Sequence, residues 1–190
     1  MTGYLGVLLS QRDINFTTSA EMQIVKRIKE ATSFVSTDYE KDLSSNIETK
    51  EFELPDKTII KVEQERFKCM EPLFKTALLE MEAPGVHQIV YDTVMKCDID
   101  LRKEMFANVV LSGGTCSSPG FTERMLKELT QMVTTMKINI PNVGDRKIAV
   151  WRGSSIVAEL SNFEGWVSVD DFLEFGPSCL DRKKEDEDDD

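Results

Sequence analysis

Apolar positions in "TSAEMQIVKRIKEATSFV" (18–35) recur at helical spacing: Ile24, Ile28, Ala31 and Val35 share one face, and Lys26, Arg27, Lys29 and Glu30 take the others. Thr18 and Glu21 stand at capping-box spacing just ahead of that run, so a helix is expected to open there. The period then changes. In "TKEFELPDKTIIKV" (49–62), Phe52 and Leu54 alternate with polar residues, Pro55–Asp56 marks a turn, and Ile59, Ile60 and Val62 follow, which predicts a β-hairpin. Segment 72–90 reads as a short helix or loop closed by Pro84–Gly85. A helix over roughly 86–96 is expected next, then another over "DIDLRKEMFA", with Asp98 or Asp100 in its first turn.

The second half reads as strand, turn, helix. "NVVLS" (108–112) suggests a strand, Gly113–Gly114–Thr115 a turn, and "PGFTERMLKELTQMV" (119–133) a helix with Phe121, Met125, Leu129 and Met132 on one side. "MKINIP" (136–141) and "RKIAVW" (146–151) read as strands and "SSIVAELSNF" (154–163) as a short helix. "SVDDFLEFGP" (168–177) carries a Ser168/Asp171 cap pattern and stops at Gly176–Pro177. Helices alternating with strands favour an α/β layer structure, and no internal repeat is visible.

The 190 residues suffice for one large domain or two small ones with a real core. A net charge of −11 argues against sequence-independent binding of nucleic acid, which needs a basic face. Part of that charge is the run "EDEDDD" (185–190), expected to be a solvated end. Cys69, Cys97, Cys116 and Cys179 lie far apart with no C-x-x-C spacing, and His87 is the sole histidine, so neither a zinc site nor a disulfide framework is indicated. The first residues lack a basic n-region and a small-residue cleavage site. No apolar stretch approaches the ~20 residues that span a bilayer, so a membrane partner is not expected.

The Gly113–Gly114 turn has two readings. Backbone without Cβ lets a ligand approach closely at the end of a strand, and Thr115 and Ser117 add hydroxyls. The same residues also serve as a plain corner, since neither the P-loop nor G-x-G-x-x-G is present. No catalytic constellation assembles around His87, which reads as structural or capping. The cysteines read as small apolar residues, and Lys29–Glu30, taken alone, as a solvated face.

Whole motifs say more than their spacing. "FTTSAEMQIVKRIKE", "ERFKCMEPLF", "MKCDIDLRKEMFANVVLSGGT", "PGFTERMLKELT", "RKIAVWRGSSIVAELSNF" and "GPS" stand in the order and spacing of the actin family, and the chain resembles that family from near its start through Ser178. The resemblance covers the family's C-terminal half. It implies a partial actin-like ATPase-domain fold of the α/β class, with a mostly helical inserted subdomain carrying the β-hairpin. The divisions expected are 1–96 (small pointed-end-side region), 97–150 (supporting α/β region with the adenosine turn), 151–180 (elements of the barbed-end outer subdomain) and 181–190 (acidic tail).

By the same resemblance Lys29 and Glu30 fall where the family reaches adenine and ribose, Gly113, Gly114 and Thr115 on the adenosine turn, and Lys147 beside the adenine. Weak ATP or ADP contact is implied, with magnesium arriving only through the nucleotide. The phosphate hairpins, the metal-linked acid and the water-positioning groups of the family have no counterpart, so hydrolysis is not expected and no catalytic residue is assigned. Ser117 and Ser118 replace Met and Tyr of actins, which removes the ring beside the base. Asp98, Ile99 and Asp100 match a filament contact, and Ile156, Val157 and Leu160 match the cleft where actin-binding proteins dock. Glu80 replaces a glycine at the hydrophobic plug. The implied partners are actin or actin-related subunits and actin-binding proteins, in the cytoplasm and cytoskeleton or the nucleus. The implied function is a divergent or truncated cytoskeletal protein or, alternatively, a non-enzymatic module that docks on actin.

Overall fold

Helix α1 (Thr2–Ser10) forms from the apolar cluster at the start of the chain and buries Leu5, Leu8 and Leu9. The computed structural model describes residues 1–163 and 165–179. Helix α2 (Ser19–Thr32) opens with the expected capping box. The Thr18 hydroxyl accepts from the Glu21 amide at 3.2 Å, and the Glu21 carboxylate accepts from the Thr17 and Thr18 amides at 2.8 Å each. Those bonds, with the Thr18 amide foremost, hold the Glu21 carboxyl below its ordinary value.

The buried face of α2 is rotated from the expected one. Val25, Ile28 and Thr32 are buried, whereas Ile24 is half-buried and Ala31 exposed. Periodicity names a stripe, but the elements packed on it decide where its centre falls; here these are α1 and the hairpin. Thr32 tolerates burial because its hydroxyl donates to the Ile28 carbonyl at 2.7 Å.

A short helix α3 (Tyr39–Ser44), capped by Asp38, leads to the hairpin. Strands β1 (Lys50–Glu53) and β2 (Ile59–Val62) pair antiparallel with Phe52 opposite Ile60. Ile60 and Val62 face the core while Ile59 and Lys61 face out, as strand alternation requires. Helix α4 (Glu65–Lys68) and two 3-10 turns, Glu71–Leu73 and Thr76–Leu79, carry the chain to α5 (Val86–Lys96) and α6 (Ile99–Ala107). Helix α7 (Phe121–Met132) buries Phe121, Met125 and Leu129 as expected, and Arg124 with them.

Two expected strands do not form. Segments 108–112 and 136–141 run beside each other but share isolated bonds: Val109 N–H donates to the Asn139 carbonyl at 3.1 Å, and Asn139 N–H to that of Phe106 at 3.0 Å. Their alternation survives, with Leu111 buried and Val110 exposed. A ladder, however, needs consecutive exchange with a neighbouring strand. Among the described residues the hairpin is the one sheet, so the layered α/β arrangement is corrected to a mostly helical architecture with a two-stranded sheet.

The core of the first compact unit, Met1–Lys147, joins α1, α2, the hairpin and α7. A buried ionic knot ties it together. Arg124 donates to both Glu71 carboxylate oxygens (Nη1 at 3.0 Å, Nη2 at 2.9 Å), to the Ser36 carbonyl at 2.7 Å and to Glu128 at 2.6 Å. Its guanidinium also lies 4.8 Å from the centre of the Phe74 ring.

His87 stacks on the same Phe74 ring, with centroids 5.8 Å apart, and its Nδ1 is buried without a hydrogen-bond partner. Burial lowers its pKa, the opposing charges of Glu128 and Arg124 acting secondarily. A depressed histidine contributes stability above its unfolded pKa of about 6.5 and loses it as pH falls. Urea melts between neutral and mildly acidic pH are therefore expected to show a steeper loss for the native chain than for His87→Phe, which keeps the ring stack. Equal slopes would exclude this role.

The second compact unit begins at Ile148. Residues 146–151 were expected as a strand and 154–163 as a helix; instead one helix, α8 (Ala149–Glu159), covers the second half of the first segment and most of the second. Ile148 and Val150 favour a strand locally, but that preference is weak without a strand to pair with. Helix α9 (Val169–Phe175) has the predicted capping box between Ser168 and Asp171 and ends at Gly176, with φ 59°. The acidic tail expected over 181–190 lies outside the described residues.

Candidate functional site

Lys26, Lys29 and Glu30 are spaced i, i+3 and i+4 on one face of α2, and Ser33, its C-cap, follows them. The glycine turn stands opposite. Gly113, at φ 94°, makes the corner, and its N–H donates to the Arg146 carbonyl at 2.8 Å. The Arg146 guanidinium returns to the Cys116 carbonyl at 2.7 Å, so residues 145–147 strap the turn in place. Val35 N–H donates to the Pro119 carbonyl at 2.8 Å and joins the end of α2 to the far side of the turn.

These elements enclose a cavity of about 350 Å³, at the lower end of the range of small-molecule sites. Its walls are Lys26, Lys29 and Glu30 from α2, Ser33 just after it, and Gly114, Thr115, Ser117, Ser118 and Pro119 from the turn. Lys147 closes one side and Met70 supplies buried floor. A Cβ built on Gly113 or Gly114 would meet nothing within 4 Å, so space for a ligand adjoins the turn backbone. The residues present therefore fit a compact polar ligand with an anionic group.

Burial disfavours the thiolate form of both thiols near the site. Burial pushes the Cys69 thiol up to about 12. Burial also raises that of Cys116, against a smaller downward pull from Arg146.

The structure brings Lys29, Glu30, Gly114, Thr115 and Lys147 to this one cavity, and Gly113 shapes the turn beside it. Sequence reasoning missed Lys26, Ser33, Met70 and Pro119 as walls. The helical spacing of Lys26 and Ser33 about Lys29 could have revealed two of them. Met70 had no signal, because it arrives from the segment after α4.

The other expected contact residues lie elsewhere. Asp98, Ile99 and Asp100 open α6 and are exposed, Ile99 at 73%, and the Asp98 side chain makes no capping bond. Ile156, Val157 and Leu160 are exposed on and just after α8. Among the described residues no cluster of His, Cys, Asp or Glu could hold a metal ion, and no helix is long and apolar enough to cross a membrane.

A helix face and a glycine turn thus gather lysines, a carboxylate and hydroxyls around one cavity. The family model of actin matches residues 7–185, and the chain belongs to the actin family. Members of that cytoskeletal family typically bind ATP or ADP with magnesium. The mostly helical architecture with its small sheet is compatible with part of an actin-like fold.

Proposed function

We propose that this chain is a divergent actin-family protein that holds a nucleotide in the pocket between α2 and the 113–119 turn without hydrolysing it. The pocket would correspond to the adenosine side of the family's cleft. One observation carries the reading: Lys29, Glu30, Gly114, Thr115 and Lys147, far apart in sequence, line a single cavity.

Glu30 is the one carboxylate in the walls, and the motifs by which the chain resembles the family do not include its phosphate hairpins or water-positioning groups. Those groups supply the transition-state stabilisation of phosphoryl transfer, so turnover is not expected. Loss of the aromatic neighbour at Ser118 weakens the hold further. Titration with fluorescent ATP should give saturable binding in the native chain and weaker binding in Glu30→Ala, with no phosphate released. The absence of saturable binding, or a steady release of phosphate, would overturn the proposal.

A second reading rests on the exposed Asp98–Ile99–Asp100 and Ile156–Val157–Leu160 surfaces, through which the chain would dock on actin or actin-binding proteins. Co-sedimentation with filamentous actin, reduced by Ile99→Asp, is the expected result. Recovery of all the protein in the supernatant counts against docking on filaments.

A further inference from the structure

We propose that Thr37 is a phosphorylation site for an acidophilic serine/threonine kinase, and that Lys127 is the cation that receives the phosphate. Thr37 is exposed, in the irregular link 33–38 between α2 and α3. Asp38 and Glu40 follow it, so acids stand at both +1 and +3; no other serine or threonine of the chain has both. A kinase with a basic substrate groove is drawn to such a flank by charge complementarity.

The structure separates Thr37 from other acid-flanked hydroxyls. Ser45 has Glu48 at +3, but its hydroxyl donates to the Lys41 carbonyl at 2.7 Å. Ser168 has Asp170 and Asp171 at +2 and +3, but its hydroxyl accepts from the Asp171 amide at 3.0 Å and caps α9. Among the described residues the Thr37 hydroxyl has no hydrogen-bond partner; the bond at this residue is to its carbonyl. Helix α3, which carries the acid at +3, is six residues long and buries none of them. A segment with so little burial opens locally at low cost, as a kinase groove requires. Its ties to the rest, among them the Tyr39 ring edge on Phe67 and the Asp42 bond to Ser36, set how fast that happens.

In the transfer, the Thr37 hydroxyl oxygen attacks the γ-phosphorus of ATP. The bond from that phosphorus to the β–γ bridging oxygen breaks, ADP leaves, and the hydroxyl proton passes to the kinase's catalytic base.

The product phosphate meets a cation already in place. Lys127 on α7 donates from Nζ to the Thr37 carbonyl at 2.7 Å, so its ammonium stands beside the residue modified. Among the described residues Lys127 joins no ion pair, which leaves its charge unopposed. An ammonium has three donors, and a phosphate brings nearly two negative charges and three acceptor oxygens, so Lys127 can hold phosphate and carbonyl together. Glu40 pairs with Lys75 at 3.3 Å and the Asp38 carboxylate accepts from the Lys41 amide, which reduces repulsion from both flanking acids. The phosphate thus ties the α2–α3 link to α7, one residue from the Ser36 carbonyl that Arg124 holds.

The full chain should be incubated with a recombinant acidophilic kinase and labelled ATP, and the modified residue read by mass spectrometry. Thr37 is expected to be labelled first, Thr37→Val to lose most of that early incorporation, and Thr37→Ser to keep it. A chain that takes up no label, or a Thr37→Val chain labelled as fast as the native one, overturns the site. Phosphorus NMR of the phosphorylated chain tests the receptor. An adjacent ammonium favours the dianion, so the second phosphate pKa, about 6 when free, is expected about half a unit lower in the native chain than in Lys127→Gln. Equal values overturn the role of Lys127. Both positions are exposed, so the variants are expected to fold as the native chain does.

Discussion

Arg124→Met is expected to cost about 3–5 kcal/mol of folding stability, because it leaves a buried carboxylate without its counter-charge. Glu71 is 1% exposed, and both of its oxygens accept from Arg124. Its next cation, Lys75, stands 3.9 Å away on a side chain that is half in solvent. Burial works against the Arg124 guanidinium, but its hydrogen bonds with Glu71 and Glu128 outweigh that and raise its pKa, so it stays charged at every ordinary pH.

The knot also has a mechanical role. Arg124 on α7 holds the Glu71 turn and the Ser36 carbonyl after α2, and α2 carries the wall of the pocket. Urea denaturation of Arg124→Met, Glu71→Met and the double variant forms a cycle that isolates the coupling. The double variant should recover much of the loss, since a buried pair exchanged for apolar side chains is often nearly neutral. A cost for Arg124→Met within about 0.5 kcal/mol, the range of ordinary surface changes, would refute the account.

Gly120→Ala is expected to be comparably damaging, for a steric reason. Gly120 sits at φ 80°, and a Cβ there would lie 2.1 Å from the Val35 carbonyl oxygen. The left-handed backbone alone costs an alanine about 1–2 kcal/mol. The clash adds to this, because Val35 is held close by its own bond to the Pro119 carbonyl. Gly144 provides the control: its φ is 76°, but nothing lies within 4 Å of an added Cβ. Gly144→Ala should therefore show only the backbone cost, about 1 kcal/mol, and Gly120→Ala at least twice that in thermal or urea melts. Equal losses would show that the close approach to Val35 does not matter. Because Pro119 lines the cavity, Gly120→Ala should also weaken ligand binding, whereas Gly144→Ala should not.

The candidate site was legible in the sequence only through whole motifs. As a local pattern, Gly113–Gly114–Thr115 read as a corner in preference to a ligand turn, and Lys29–Glu30 as a solvated pair. Resemblance named them together, and the cavity is where the fold brings all but Gly113 into one wall. Met70 escaped because its place in the floor depends on how the segment after α4 packs beneath α2. Arg124 escaped for a related reason: it stands one residue from Met125 on the buried side of α7, and nothing local says that a distant glutamate will meet it.

By itself the sequence determined the features whose causes lie within a few residues. The capping boxes at Thr18 and Ser168, the hairpin about Pro55–Asp56, the spans of α5 to α7 and the glycine stop at Gly176 all follow from hydrogen bonds and steric limits among near neighbours. Tertiary structure alone decided what depends on distant partners. It turned α2 to bury Val25, kept 108–112 and 136–141 out of a ladder, made one helix of 149–159, paired Arg124 with Glu71 and set the Gly113 turn against α2. A strand, a buried charge and a cavity each need a second surface, and a one-dimensional pattern does not say which surface arrives.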